Sequence, residues 1–172
     1  MRIWRCTLLL VTSGFVGCGT HRMVSGEALV MTSALASAVD NAVRAFMGTV
    51  AHDVTQDGPA AWQTHFENTP AFFMAVDGQL VFPNREAAAQ AIQGLTHTIK
   101  HIELQWGDDL RVDPLTANLA VVASSWHEVL VDTAEKSIDE KGFFTGIAEY
   151  GDGRWQLRNA HWSVAAAPPP IK

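Results

Sequence analysis

Cysteine is nearly absent from this chain: Cys6 and Cys18 are the two it has, both close to the amino terminus. Basic residues are also few, 12 Lys and Arg against 18 Asp and Glu, for a formal net charge of -6. No Lys/Arg cluster overrules that average, so the phosphate backbone of a nucleic acid meets repulsion, and nucleic acid is excluded as a partner. The Gly-rich phosphate loop is missing, and so is the Gly-x-Ser-x-Gly elbow. Nothing in the order of Ser, His and Asp suggests a nucleophilic triad. Internal repeats, low-complexity stretches and a second domain are lacking as well. What the chain does have is apolar mass: 48% of its 172 residues are hydrophobic and 17% charged, which suits one globular domain with a real core. Six tryptophans and eight phenylalanines are a large aromatic supply, useful for a core and for the wall of an apolar pocket.

The amino terminus carries a targeting pattern. Arg2 and Arg5 form a short positive region, and Cys6–Val16 is apolar, uncharged and too short for a permanent bilayer-spanning helix. The run ends in Phe15-Val16-Gly17-Cys18, which resembles the lipobox of bacterial lipoproteins, although leucine is usual where Phe15 stands. No Ala-x-Ala site competes nearby. A plain secretory signal and a true membrane anchor are the alternatives. The resemblance implies that residues 1–17 are removed, that Cys18 receives lipid and tethers the protein to the membrane, and that the protein resides in the bacterial cell envelope. Cys6 would leave with the signal, so no disulfide can form within one mature chain. Loss of Arg2 and Arg5 leaves ten basic against 18 acidic side chains, a net charge of -8. Residues 18–26 read as a tether and residues 165–172, with three consecutive prolines, as an extended tail.

Residues 27–164 then read as one α+β domain. Leu35, Val39, Val43, Phe46, Met47 and Val50 recur at three- and four-residue spacing, the apolar stripe of a helix from Glu27 to about Val54. Asp57-Gly58-Pro59 stops and restarts the chain, with Asp57 as cap of a short helix through Phe66. Ala71–Val76 and Gln79–Phe82 flank Asp77-Gly78, a strong signal for a two-residue hairpin. Asn84 caps a helix from Arg85 to Leu95. Lys100–Val112 alternates as a strand, Asp113-Pro114 turns, and Leu119–Asp132, Phe143–Tyr150 and Arg154–Val164 follow as strands. In the last of these Trp155, Leu157, Asn159, His161 and Ser163 share the face expected to look inward. Helices grouped before long antiparallel strands place the helices on the concave face of a curved sheet.

Three stretches, in this order, resemble the NTF2-like superfamily, in particular its SnoaL-like and DUF4440 branches. They are Asp57-Gly58-Pro59-Ala60-Ala61-Trp62, Pro83-Asn84-Arg85-Glu86-Ala87-Ala88-Ala89-Gln90-Ala91-Ile92, and Gly151-Asp152-Gly153-Arg154-Trp155-Gln156-Leu157-Arg158-Asn159-Ala160-His161-Trp162-Ser163. The likeness runs from about Leu35 to Val164. It implies a cone-shaped half-barrel with a pocket between sheet and helices, often paired into dimers across the sheet. The superfamily holds isomerases, dehydratases, hydrolases and non-catalytic binding domains, so the fold does not fix the function.

Candidate site residues follow from the strand phases. His161, placed inward, is a catalytic acid or base near neutral pH, with Asn159 beside it as a hydrogen-bond donor; a structural histidine bonded to backbone or to Ser163 competes with that role. Trp62, Phe66, Phe73, Trp106, Trp126 and Trp155 are the pocket-lining candidates, with plain core packing as the competing role. Of the neighbours His127 and Glu128 one alone can face the pocket; a buried Glu128 would have a raised pKa and serve as a base, while an exposed one is the commoner case. Asp77 lies in a turn and takes no role. His97 and His101 lack a third ligand in register, so no metal is expected, and no cofactor. Two readings of function stay open. One is a small-molecule pocket for an apolar or amphipathic ligand, with cofactor-free isomerase, dehydratase or hydrolase chemistry. The other is a non-catalytic module that dimerises or docks an envelope partner through an outer sheet face carrying His101, Glu103, Gln105, Arg158 and Trp162.

Overall fold

The structure, a computed structural model, describes residues 31–165. The signal, Cys18, the tether and the tail beyond Ala165 lie outside the described residues. Helix α1 (Ser33–Asp57) opens where the Thr32 hydroxyl accepts a hydrogen bond from the Leu35 amide at 3.2 Å and so caps the first turn; the expected start at Glu27 lies outside the described residues. Its stripe of Val39, Val43, Phe46, Met47, Val50 and Val54 is buried. Each such side chain removed from water contributes about 1.5–3 kcal/mol. The helix ends at Gly58, whose φ of 72° few other residues tolerate. Asp57, expected to cap the next helix, makes no such bond; a 3-10 turn (Gly58–Ala61) with Pro59 near its start leads into α2 (Trp62–His65).

Strands β1 (Phe73–Val76) and β2 (Gln79–Phe82) form the expected hairpin. Asp77 and Gly78 both have positive φ, 49° and 78°, as a type I′ turn requires. Asn84 caps α3 (Arg85–Thr98) through its side-chain oxygen, 2.9 Å from the Ala87 amide. That helix runs past Leu95 and feeds directly into β3 (Ile99–Trp106).

The single stretch expected over Lys100–Val112 is two strands, because Gly107–Leu110 turns the chain before β4 (Arg111–Thr116). Pro114 therefore lies inside a strand instead of at a turn. β4 pairs with one neighbour alone, so a residue without an N–H leaves no ladder bond unmade there. β5 (Leu119–Asp132), β6 (Ser137–Gly151) and β7 (Arg154–Val164) complete the sheet. β6 begins six residues before the expected Phe143. The Asp132 carboxylate organises the preceding turn, accepting from the amides of Ala134 at 2.8 Å and Lys136 at 2.9 Å.

The seven strands follow the order β2-β1-β7-β6-β5-β3, with β4 also on β5, in a curved sheet that does not close. Every pairing is antiparallel except β1 with β7. The helices cover the concave face, as the sequence implies. Two bonds tie α1 across it: the Trp106 indole N–H donates to the Met47 carbonyl at 2.8 Å, and the Leu104 amide to the Thr55 hydroxyl at 3.1 Å.

The unbroken alternation expected along β7 fails. Leu157 pairs with Ala148 while Asn159 pairs with the adjacent Ile147, so Arg158 is an extra residue in a β-bulge. Trp155 and Leu157 keep the inward phase before it. Ala160 and Trp162 hold it afterwards, both buried, and His161 is exposed. One inserted residue turns every later side chain to the other face.

Candidate functional site

Between α2, α3, the β1–β2 hairpin and the concave sheet lies a cavity of about 230 Å³. Its walls are built element by element. The entry to α2 gives Pro59 and Trp62, with Phe66 just beyond; the hairpin gives Met74, Val76 and Phe82; α3 gives Ile92 and Leu95. The sheet supplies Ile99, Ile102, Trp126, Leu130, Trp162 and Val164. Two polar side chains complete the lining, Glu128 on β5 and Glu140 on β6, and among the described residues no basic side chain contributes to it.

The strand phases put them there. Along β5 the side chains of Val122, Ser124 and Trp126 are buried on the concave side, so Glu128 follows them inward two residues on. His127 takes the other face, its Nε2 2.9 Å from Asp139 Oδ1. Glu140 stands directly opposite Glu128 in the β5–β6 register, where Cβ atoms lie about 4.5–5.5 Å apart. On its other flank Glu128 faces the buried Leu104 of β3.

This setting disfavours a charge. Burial and the Glu140 carboxylate across the strand pair push the Glu128 carboxyl up to about 7. Among the described residues neither carboxylate joins an ion pair. Glu128 thus sits between its protonated and ionised forms near neutrality, the condition under which a carboxyl can both give and take a proton.

The inner wall is aromatic. Trp162 has its ring centre within 5.0–5.7 Å of four neighbours: Phe144, Trp126, Trp106 and Trp62. Three of these contacts are edge-on, the arrangement aromatic quadrupoles favour. Gly142 is required here, since a Cβ at that position would collide with the Ser163 carbonyl oxygen and the Trp126 ring. The Trp126 indole N–H is buried without a hydrogen-bond partner.

Of the residues singled out in the sequence, Trp62, Phe66 and Trp126 line this cavity. The others lie elsewhere. Phe73 is 44% exposed, Trp155 packs edge-on against Tyr150 at the far end of the sheet, and Trp106 stacks behind Trp162. His161 and Asn159 are on the convex face, past the bulge, and the Ser163 hydroxyl donates to the Phe143 carbonyl rather than to His161. Trp162, placed on the outer face beside His101, Glu103 and Gln105, is buried instead. His97 ends α3 and His101 lies in β3, and no three His, Cys, Asp or Glu side chains gather among the described residues.

Glu140 was not singled out at all. Its place opposite Glu128 depends on the length of the turn before β6, which local pattern does not reveal. A second ionisable pair lies away from the cavity: the buried His65 has its Nε2 3.1 Å from Oδ2 of the half-buried Asp53, out of line for a hydrogen bond, and burial lowers the His65 pKa. A larger open depression, about 700 Å³, lies at one end of the sheet around Gln105, His127, Lys141 and Ser163.

No family model and no curated relative matches the chain. Solved structures do match its fold. An NTF2-like superfamily protein from Salmonella enterica superposes with a TM-score of 0.65 at 15% identity, covering 78% of this chain and 96% of that one. A Novosphingobium aromaticivorans protein proposed to be a scytalone dehydratase gives 0.63 at 13%, covering 73% and 83%. A hexachlorocyclohexane dehydrochlorinase gives 0.56 at 15%, covering 76% and 94%. The chain has the NTF2-like fold, a cone of helices on a curved sheet.

Proposed function

We propose that this domain binds a small apolar or amphipathic molecule in the cone cavity and carries out cofactor-free acid–base chemistry on it, with Glu128 exchanging the proton. The observation that carries this reading is a carboxyl held near pKa 7 inside an otherwise apolar cavity, opposite a second carboxylate. Isomerisation, dehydration or hydrolysis are the reaction classes that need no more than this. Two structural neighbours are named for eliminations, of water and of hydrogen chloride, and so point the same way. The catalytic role first given to His161 passes to Glu128, because Glu128 is the titratable side chain near neutrality that touches the cavity. Residues 1–18 support placing the domain in the cell envelope, anchored by lipid on Cys18.

A generic proton-transfer probe tests the chemistry. Exchange of the α-protons of cyclohexanone in D2O, followed by NMR, is expected to accelerate with the protein as Glu128 ionises through pH 7. In Glu128→Gln the acceleration falls by about 10²–10⁴-fold. A rate equal to that of buffer, or one unchanged in the Gln variant, removes the reading.

One observation favours a second reading as an interaction module. Val121 and Phe143 stay 36% and 43% exposed on the outer face of β5 and β6, the face through which the NTF2-like fold pairs in many dimers. Sedimentation of the purified chain decides it: a dimer broken by Phe143→Asp supports this role, and a monomer refutes it.

A further inference from the structure

We propose that the occupant of the cone cavity carries a basic nitrogen: a small apolar ammonium rather than an alcohol, a carboxylic acid or a phosphate ester. The proposal rests on the cavity being a ligand site and goes further by naming the class of ligand.

Two independent features converge on that class. First, the polar groups lining the cavity are both carboxyls, Glu128 and Glu140, opposed across the β5–β6 pair, and among the described residues no Lys, Arg or His joins them. An anion entering this site would meet acceptors and negative charge without one positive group to offset them. A cation relieves the like-charge opposition that the empty site contains, and each carboxylate gains an N–H donor. Second, the wall beside the carboxyls is aromatic. Trp62, Phe66, Trp126 and Trp162 all line it, and tryptophan faces are the best side-chain partners for an ammonium within about 6 Å of the ring centre.

Size narrows the class. At about 230 Å³ the cavity lies below the roughly 300 Å³ at which drug-sized sites begin. One ring or a short branched chain with one nitrogen fits; a long acyl chain does not.

The experiment is a matched comparison of benzylamine and benzyl alcohol on the purified full-length chain, by calorimetry and by the indole N–H resonances of Trp126 and Trp162. Benzylammonium is expected to bind at least about tenfold more tightly than the alcohol and to shift both resonances. In the double variant Glu128→Gln, Glu140→Gln, whose fold is checked by circular dichroism, the ratio drops toward one while the alcohol still binds. Equal or tighter binding of the alcohol overturns the proposal and leaves the cavity as a ligand site. So does an amine preference that survives the double variant, since it would then reflect the acidic surface at large. Failure of both probes to shift either resonance overturns this proposal and the ligand-site reading together.

Discussion

At the scale of single residues, Glu128 ties stability to the site. Its folded-state pKa lies near 7 against an ordinary 4.5, so between these values the folded state binds more protons than the unfolded one. Stability contributed by this group is therefore full below about pH 4.5, falls as pH rises, and is lost once pH passes 7. Glu128→Gln, which cannot ionise, should be more stable than the parent at pH 8 by up to about 3 kcal/mol and no more stable at pH 4. Urea unfolding at the two pH values checks this; a stability difference independent of pH contradicts it. The neighbours Trp162 and His161 make an equally sharp pair. Trp162→Ala removes the centre of the aromatic cluster and should cost about 3–5 kcal/mol, whereas His161→Ala, on the exposed face, should stay within about 0.5 kcal/mol. Comparable losses for the two would contradict the strand phase described here.

At the scale of elements, the bulge at Arg158 decides which of those two residues is inside. Deleting Arg158 alone would restore simple alternation and keep Trp162 inward, since the flanks of the bulge are already in phase with β6; deleting Arg158 and Asn159 together would turn His161 inward and drive Trp162 into solvent. We expect the double deletion to abolish cooperative unfolding, read by thermal circular dichroism, while Arg158→Ala and the single deletion of Arg158 retain it; a double-deletion variant that melts like the parent contradicts the assignment. The same bulge explains where the sequence was readable. Asp77-Gly78 announced its hairpin because the turn chemistry is local, and Asn84 announced α3 because a cap sits beside what it caps. The α1 stripe was legible from period alone. The inward face of β7 was not, because period-2 reading has no means of locating one extra residue whose cause is the pairing with β6. Pro114 misled for a related reason: a proline forbids a central strand but not an edge, and edges are a property of the assembled sheet. Glu128 could be narrowed to one of two adjacent positions. Settling which needed the buried partners on β3, and Glu140 needed the β5–β6 register.

At the scale of the whole molecule, a cone open at one end meets a chain with a marked excess of acid. The excess disfavours polyanions as partners and agrees with a cavity whose polar side chains, among the described residues, are Glu128 and Glu140. The proposed lipid tether at Cys18 would put the cavity at a membrane surface outside the cytoplasm. Labelled palmitate fed to a bacterial host expressing the full chain should enter the protein and be lost in Cys18→Ser, which should then leave the membrane fraction. Label retained by the variant would contradict the lipid anchor without touching the cavity. The central claim is the near-neutral carboxyl inside that cavity, and the most direct measurement of it is a titration of Glu128 by carbon-13 NMR on selectively labelled protein. The account predicts a midpoint near pH 7 that moves down when Glu140→Gln removes the opposing charge. A midpoint near 4.5, indifferent to Glu140, would show an ordinary solvated carboxylate and would contradict the account.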